Sequence, residues 1–299
     1  MFEDNAEFGL GIRLALDTKK QTLSTLLNEL SSIDTTLTPE IGQWQSAADV
    51  DSSLVASVKL INKLTSVYKN APTKEKKLIA SIIAQKNDLN DKTVWIIGGD
   101  GWAYGIGYGG LDHVLDSGKN VNILVLDSQV YSNTGGQASK ATPTGAIAKF
   151  AEGGKELSKK NLGLMALNYP DVYVAQISLG SNMAQALSAF KEANEYPGVS
   201  IIIAYSNCIN HGIDMTDSMN IEREAVASGF WTIFRRNPTT KKLTLDCAPP
   251  TMDYIEFAKK QRRFANLFKK SPDKANRLLE KAKQDSINLR KKLEKLSEE

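Results

Sequence analysis

Four short runs rich in β-branched residues, Val94–Ile97, Val121–Leu126, Val172–Ile177 and Ser200–Tyr205, alternate with stretches of helical spacing. None alternates cleanly between apolar and polar residues, the pattern of strands covered by helices on both faces. The intervening helix signals are Gly110–Leu115, Leu162–Leu167, Met183–Glu195 and Ile221–Ser228. This order predicts an α/β fold, an open, doubly wound and mostly parallel sheet. Ligands of such sheets lie in the crevice beyond the carboxyl ends of the strands, so the residues just after each run are the ones to inspect.

Three regions follow from the patterning. Residues 1–91 read as helical, with Ile12–Leu30, Val50–Tyr68 and Lys74–Ile83 at helical spacing and breaks at Pro39–Ile41 and Ala71-Pro72. Residues 92–250 hold the α/β core, and 251–299 form a helical extension after Pro249-Pro250. In that extension Leu279, Ala282, Ser286, Leu289, Leu293 and Leu296 make an a/d-like seam, which predicts packing against the chain's own body. From Lys259 onward the chain carries 14 Lys+Arg against 6 Asp+Glu. The acids are interleaved and no nucleic-acid motif accompanies the bases, so this is a solvated helix face and not a nucleic-acid arm.

Composition excludes several classes. With 41% hydrophobic and 24% charged residues, a 299-residue chain is neither disordered nor fibrous. Two cysteines, Cys208 and Cys247, make no disulfide framework. The acidic start lacks a signal peptide's basic and apolar regions, and no run approaches the roughly 20 apolar residues of a membrane span. A soluble, cytoplasmic protein without membrane partners is expected.

The loops after the first two runs carry the chemistry. Gly98 to Gly110 contains seven glycines in thirteen positions, among them Gly99-Asp100-Gly101-Trp102, which leaves the backbone open to a ligand. An acid in an anion site repels phosphate unless a divalent cation lies between them, and Mg²⁺ takes about six oxygens, often from carboxylates and phosphates together. The second loop reads Asp127-Ser128-Gln129-Val130-Tyr131-Ser132-Asn133-Thr134-Gly135-Gly136-Gln137. If the first two strands are neighbours, the Ser128 hydroxyl and the Val130 carbonyl can complete a hard-oxygen shell with Asp100, while Asn133 reaches phosphate or a reacting oxygen. The dinucleotide fingerprint lacks its third glycine, although Asp127 stands where a ribose-binding acid would. A Walker lysine, a zinc-spaced ligand set and a nucleophile elbow are absent from the sequence. His113 reads as a capping or packing residue, whereas His211 lies three residues beyond Cys208, near the fourth strand's end.

A Gly-Asp-Gly triplet followed one crossover later by a metal-binding loop resembles the thiamine-diphosphate motif. The wording of both loops, with Lys140-Ala-Thr-Pro-Thr-Gly145 and Cys208-Ile-Asn210, resembles the pyruvate:ferredoxin (flavodoxin) oxidoreductases across essentially the whole chain. The family's enzyme is several times longer, and the resemblance is to its carboxyl-terminal thiamine domain. It implies the thiamine-diphosphate-binding fold with helical extensions at both ends. It also implies an enzyme that decarboxylates pyruvate oxidatively with coenzyme A, passing electrons through iron–sulfur clusters to ferredoxin or flavodoxin, as a homodimer in bacterial cytoplasm or an anaerobic organelle.

Residue by residue, the resemblance makes Asp100, Ser128 and Val130 the Mg²⁺ ligands. It places Gly99, Gly101, Trp102, Tyr131, Ser132, Asn133 and Thr134 at thiamine diphosphate, with Asn133 nearest the reacting carbon and Phe2 close by. Cys208 matches one ligand of a [4Fe–4S] cluster whose other cysteines are expected upstream of Phe2; four thiolates normally hold such a cluster, so here Cys208 is expected as a buried free thiol. Cys247 reads as structural. The general motif ends in Asn-Asn where this chain has Asp127-Ser128, leaving a hydroxyl in place of an amide oxygen as ligand. The glutamate that activates the aminopyrimidine belongs to another domain in this family, so the chain by itself is expected to bind cofactor without turnover. Two alternatives are a thiamine-binding subunit of a non-oxidative 2-oxoacid decarboxylase and a non-catalytic binding or assembly module.

Overall fold

The computed structural model describes residues 5–47 and 49–298. The chain separates into two compact units, Leu10–Val94 and a second made of the residues up to Gly9 with Trp95 onward.

The Leu10–Val94 unit is helical. Helix α1 (Ala6–Ile33) contributes most of its length, followed by α2 (Thr38–Gln45), α3 (Val50–Tyr68) and α4 (Thr73–Ala84). Leu23, Leu27 and Leu30 recur at helical spacing and meet Trp44, Leu60, Leu64, Ile79 and Ile82 in a buried core. The Trp44 indole N–H donates to the Leu89 carbonyl at 2.8 Å. Pro39–Ile41 is not a helix break: α2 contains it, with the proline in the first turn. A proline there forfeits nothing, because that N–H has no helical acceptor.

The second unit holds a six-stranded sheet in the order β1-β2-β4-β3-β5-β6. Strands β1 (Trp95–Gly98), β2 (Asn122–Asp127), β3 (Tyr173–Ile177) and β4 (Ser200–Tyr205) run parallel to one another. All residues of β3 and β4 are buried, which is why their sequences show no alternation. On one face Ala186, Ala189 and Ala193 of α8 (Met183–Glu195) lie on Tyr173, Ala175, Ile177, Ile202 and Ala204.

An antiparallel hairpin, β5 (Phe234–Asn237) and β6 (Lys242–Leu245), extends the sheet beyond β3 and has no counterpart in the sequence reading. Phe-Arg-Arg-Asn reads as a polar loop because its charges find partners only in the fold. Arg235 grips Asp246 at 2.9 and 3.0 Å and also pairs with Glu192, while Arg236 donates to the Pro170 carbonyl at 2.6 Å.

The turn after β3 sits tightly on α9 (Ser218–Ala227). Glu222 accepts hydrogen bonds from the Gly180 amide at 2.9 Å and the Ser178 hydroxyl at 3.1 Å. A Cβ on Gly180 would stand 2.2 Å from the Met219 carbonyl oxygen, a backbone atom that cannot swing away. Gly180→Ala should therefore cost about 2–3 kcal/mol in urea unfolding, and an unchanged midpoint would refute this close approach.

The chain ends in α10 (Tyr254–Lys259), α11 (Arg262–Lys270) and α12 (Pro272–Glu298). Leu279, Ala282 and Leu293 of the predicted seam are buried, the Ser286 hydroxyl donates to the Gly229 carbonyl, and Arg290 donates to the Ala248 carbonyl at 2.9 Å. The seam is thus used within the sheet unit. Between β2 and α7 (Leu162–Ala166) the chain runs through residues 128–161 in turns and isolated bridges.

Candidate cofactor and metal site

Strands β1 and β2 are parallel neighbours, Gly98 facing Val125, so the two candidate loops leave the same edge of the sheet. A short helix, α5 (Asp100–Tyr104), begins at Asp100 and precedes α6 (Tyr108–Leu115), so the glycine stretch folds into two helical pieces. The Asp100 carboxylate is 2% exposed. Its Oδ1 accepts from the Ser128 amide at 3.0 Å and the Ser128 hydroxyl at 3.3 Å, and its Oδ2 accepts from the Ser139 hydroxyl at 2.8 Å.

The Ser128 hydroxyl also lies 3.2 Å from the Val130 carbonyl oxygen, and the Ser132 hydroxyl lies 2.9 Å from Ser128 Oγ. Gln129, between the two ligand candidates, adopts a left-handed φ of 62°. That strained turn is held by the Thr142 hydroxyl on the Gln129 carbonyl at 2.7 Å and by Arg263 on its side chain at 2.6 Å. It carries the Val130 carbonyl toward Ser128 and Ser132.

These groups fit a hard divalent cation. Neighbouring ligands on an Mg²⁺ octahedron stand about 3 Å apart, and Ser128 Oγ is separated from Asp100 Oδ1 and Val130 O by 3.3 and 3.2 Å. Burial, with the negative charge of Asp127 nearby, pushes the Asp100 carboxyl up to about 7. A buried carboxylate beside another is short of positive charge, and a bound cation supplies it. Among the described residues no group of three or more His, Cys, Asp and Glu side chains is placed to hold a metal, so this candidate site draws on a hydroxyl and a carbonyl.

Asp127 is not available to a ribose. It is completely buried, bonded by Lys159 Nζ at 2.6 and 2.9 Å and by the Tyr104 hydroxyl at 2.5 Å. Lys155, which burial and the nearby Lys159 push down to about 8, donates to the carbonyls of Ser139, Lys140 and Thr142. It thereby braces the turn that aims Ser139 at Asp100. Sequence reading passed over Tyr104, Ser139, Lys155 and Lys159, since no spacing rule links them to Asp100.

The other expected cofactor residues are distributed around the loop. Gly99 caps α5, and Gly105 lies under Tyr131, where a Cβ would meet the phenol oxygen at 2.6 Å. Gly101 also lies beside the Tyr131 ring. Ser132, Asn133 and Thr134 are exposed, and the Thr134 hydroxyl bonds to Gln137 at 2.9 Å. The Trp102 ring is buried against Gly98. Phe2 lies outside the described residues.

Cys208 is a buried free cysteine at the end of β4, its sulfur accepting from the Asn210 amide at 3.5 Å and the Asn210 side chain at 3.4 Å. Cys247 lies elsewhere, 3.6 Å from Arg290, and the chain has no third cysteine. Its own residues therefore do not make a four-thiolate set. His211 is 1% exposed, and its Nε2 lies 2.7 Å from the Ser128 carbonyl. Burial, with Arg263 nearby, holds the imidazole well below its ordinary pKa, so the ring is neutral.

Residues 77–204 match the family model described as thiamine pyrophosphate enzyme, C-terminal TPP binding domain. The pyruvate:ferredoxin oxidoreductase of Moorella thermoacetica is 44% identical over 100% of this chain and 26% of its own length. The pyruvate-flavodoxin oxidoreductase of Trichormus variabilis is 47% identical over 97% of this chain and 25% of its own. A solved 2-oxoglutarate:ferredoxin oxidoreductase from Magnetococcus marinus, with 2-oxoglutarate, coenzyme A and succinyl-CoA bound, aligns with 39% of this chain and 40% of its own at 27% identity and a TM-score of 0.36. The chain spans about a quarter of the length of the two curated relatives. Over nearly its whole length the chain is thus similar to one part of the pyruvate:ferredoxin/flavodoxin oxidoreductases, and residues 77–204 carry the thiamine pyrophosphate-binding match.

Proposed function

We propose that this chain is the thiamine diphosphate- and Mg²⁺-binding part of an enzyme that oxidises pyruvate with coenzyme A to acetyl-CoA and CO₂, with ferredoxin or flavodoxin as electron acceptor. The observation that carries the reading is the meeting of the Asp100 carboxylate with the Ser128–Val130 loop at the carboxyl ends of β1 and β2. Bound thiamine diphosphate supplies a carbanion for the 2-oxo carbon and an electron sink for loss of CO₂. Asp100, the Ser128 hydroxyl and the Val130 carbonyl hold the cation that ties the diphosphate to the sheet. Ser139 and Lys155 keep the carboxylate aimed, and Ser132, Asn133 and Thr134 face the cofactor from the exposed rim of the loop.

The remaining partners are proposals of the same reading. They are the enzyme's other domains, a second copy in a homodimer, and a [4Fe–4S] cluster with Cys208 as one ligand. Because the chain has two cysteines, cluster formation needs thiolates from elsewhere, and the chain alone binds cofactor without turning over pyruvate. No helix of the described residues is long and apolar enough to cross a membrane. A cytoplasmic location is a further part of the same proposal. The names of the relatives favour this oxidoreductase over a non-oxidative decarboxylase or an assembly module.

Titrating the chain with thiamine diphosphate, with and without Mg²⁺, tests the reading: saturable binding should appear only with the metal. Its pH dependence has a defined sign. Mg²⁺ takes the ionised carboxylate, and Asp100 holds its proton up to about pH 7. Affinity should be flat above pH 7 and fall about tenfold per pH unit below it, with one proton released per metal bound. Metal-independent binding, or none by the folded chain, would refute the assignment.

A further inference from the structure

We propose, resting on the reading of Asp100, Ser128 and Val130 as the metal ligands, that His211 is a positioning residue which holds the metal loop from the neighbouring strand end. Strand β2 pairs with β4 to its last residue, Asp127 facing Tyr205, so the loop carrying Ser128 and the loop carrying Cys208 leave the sheet side by side. His211 sits in a 3₁₀ turn begun by Cys208, whose carbonyl accepts the His211 amide at 2.9 Å. From there Nε2 stands 2.7 Å from the Ser128 carbonyl oxygen. A carbonyl can only accept, so Nε2 carries the hydrogen.

This bond gains weight when a cation binds. Without metal, Ser128 is held through its amide, its hydroxyl and its carbonyl. The hydroxyl donates toward Asp100 and Val130, the other two ligands, and accepts from the Ser132 hydroxyl. Once all three oxygens point at one cation, the hydroxyl hydrogen must turn away and those contacts no longer fix the loop. The amide, which donates to Asp100 and to the Leu126 carbonyl, then holds Ser128 from its own strand end, and the carbonyl bond to His211 holds it from the neighbouring one. A neutral imidazole suits the task, since it donates a directional bond without adding a positive charge beside the cation. The same bond joins the Cys208 turn to the metal loop, so the spacing between them is set within this chain.

The experiment compares His211→Phe, His211→Gln and His211→Asn in the full chain, measuring the Mg²⁺ dissociation constant at saturating thiamine diphosphate alongside the melting temperature. Glutamine can place an N–H where Nε2 stands; the asparagine amide stops short of it. Phe and Asn should weaken Mg²⁺ binding about 10–100-fold, the range for groups that orient a ligand, whereas Gln should stay within about threefold of the parent. A general packing role would lower the melting temperature without separating Gln from Asn. Parent-like Mg²⁺ affinity in a folded Phe variant, or equal losses in Gln and Asn, overturns the proposal. If Phe does not fold, the Gln–Asn contrast decides. Should the parent itself lack Mg²⁺-dependent binding, the metal-loop reading fails; should the parent bind and Asp100→Ala not, with the His211 variants unaffected, this inference alone fails.

Discussion

Asp100→Ala is expected to weaken Mg²⁺-dependent thiamine diphosphate binding by at least about 100-fold, more than the loss of a group that only orients a ligand. Its effect on the apo-protein has a sign that changes with pH. The variant strands the Ser139 hydroxyl and the Ser128 amide, both of which donate to this carboxylate. It also removes the buried Asp100 carboxyl, whose ionised form is penalised by burial and by the neighbouring Asp127. Because the folded parent holds the Asp100 proton more tightly than the unfolded chain does, parent stability falls as pH rises from about 4 to about 7. The variant lacks that fall. Urea unfolding at pH 5 and pH 8, without metal, should therefore show the difference moving in the variant's favour at the higher pH. Unchanged cofactor affinity, or a shift in the other direction, would falsify the picture of Asp100 as a carboxylate awaiting a cation.

The second large effect is expected at Lys159. Its ammonium is the cationic partner of Asp127, which is completely buried, and it also donates to the Ala141 carbonyl at 3.0 Å. Lys159→Met leaves a buried carboxylate with only the Tyr104 hydroxyl to satisfy it. Removing one partner of a buried pair costs about 3–5 kcal/mol because the other charge stays behind. The double variant Asp127→Asn, Lys159→Met should recover most of this, since no unpaired charge remains. Equilibrium unfolding of the two single variants and the double gives the coupling directly. Strict additivity would mean that the ion pair is not what holds this part of the sheet edge.

Much of the α/β core can be read from local pattern. The four parallel strands and the helix between β3 and β4 lie within about a residue of their predicted limits, because a strand buried on both faces needs an unbroken apolar run and an amphipathic helix needs its period. The edge hairpin escaped because Arg235 and Arg236 are tolerable in strands only opposite Asp246, Glu192 and the Pro170 carbonyl, which are distant in sequence. Pro39 misled for a local reason, since a proline in a helix's first turn and a helix-breaking proline have the same letter.

The site divides in the same way. Asp100, Ser128 and Val130 stand directly after two strand signals, and a parallel pair delivers such residues to one edge, so the sequence by itself determined which oxygens are candidates for a cation. The tertiary structure alone decided what surrounds them. Ser139, Lys155, Lys159 and His211 come from turns whose courses depend on long-range packing, and their roles reside in hydrogen bonds of about 3 Å between residues separated by as many as 83 positions. Periodicity and turn chemistry act over a few residues, whereas burial of charge is a property of the assembled interior. For that reason the chain's letters name an aspartate after β1, and only the fold makes it a carboxylate that holds its proton near neutrality.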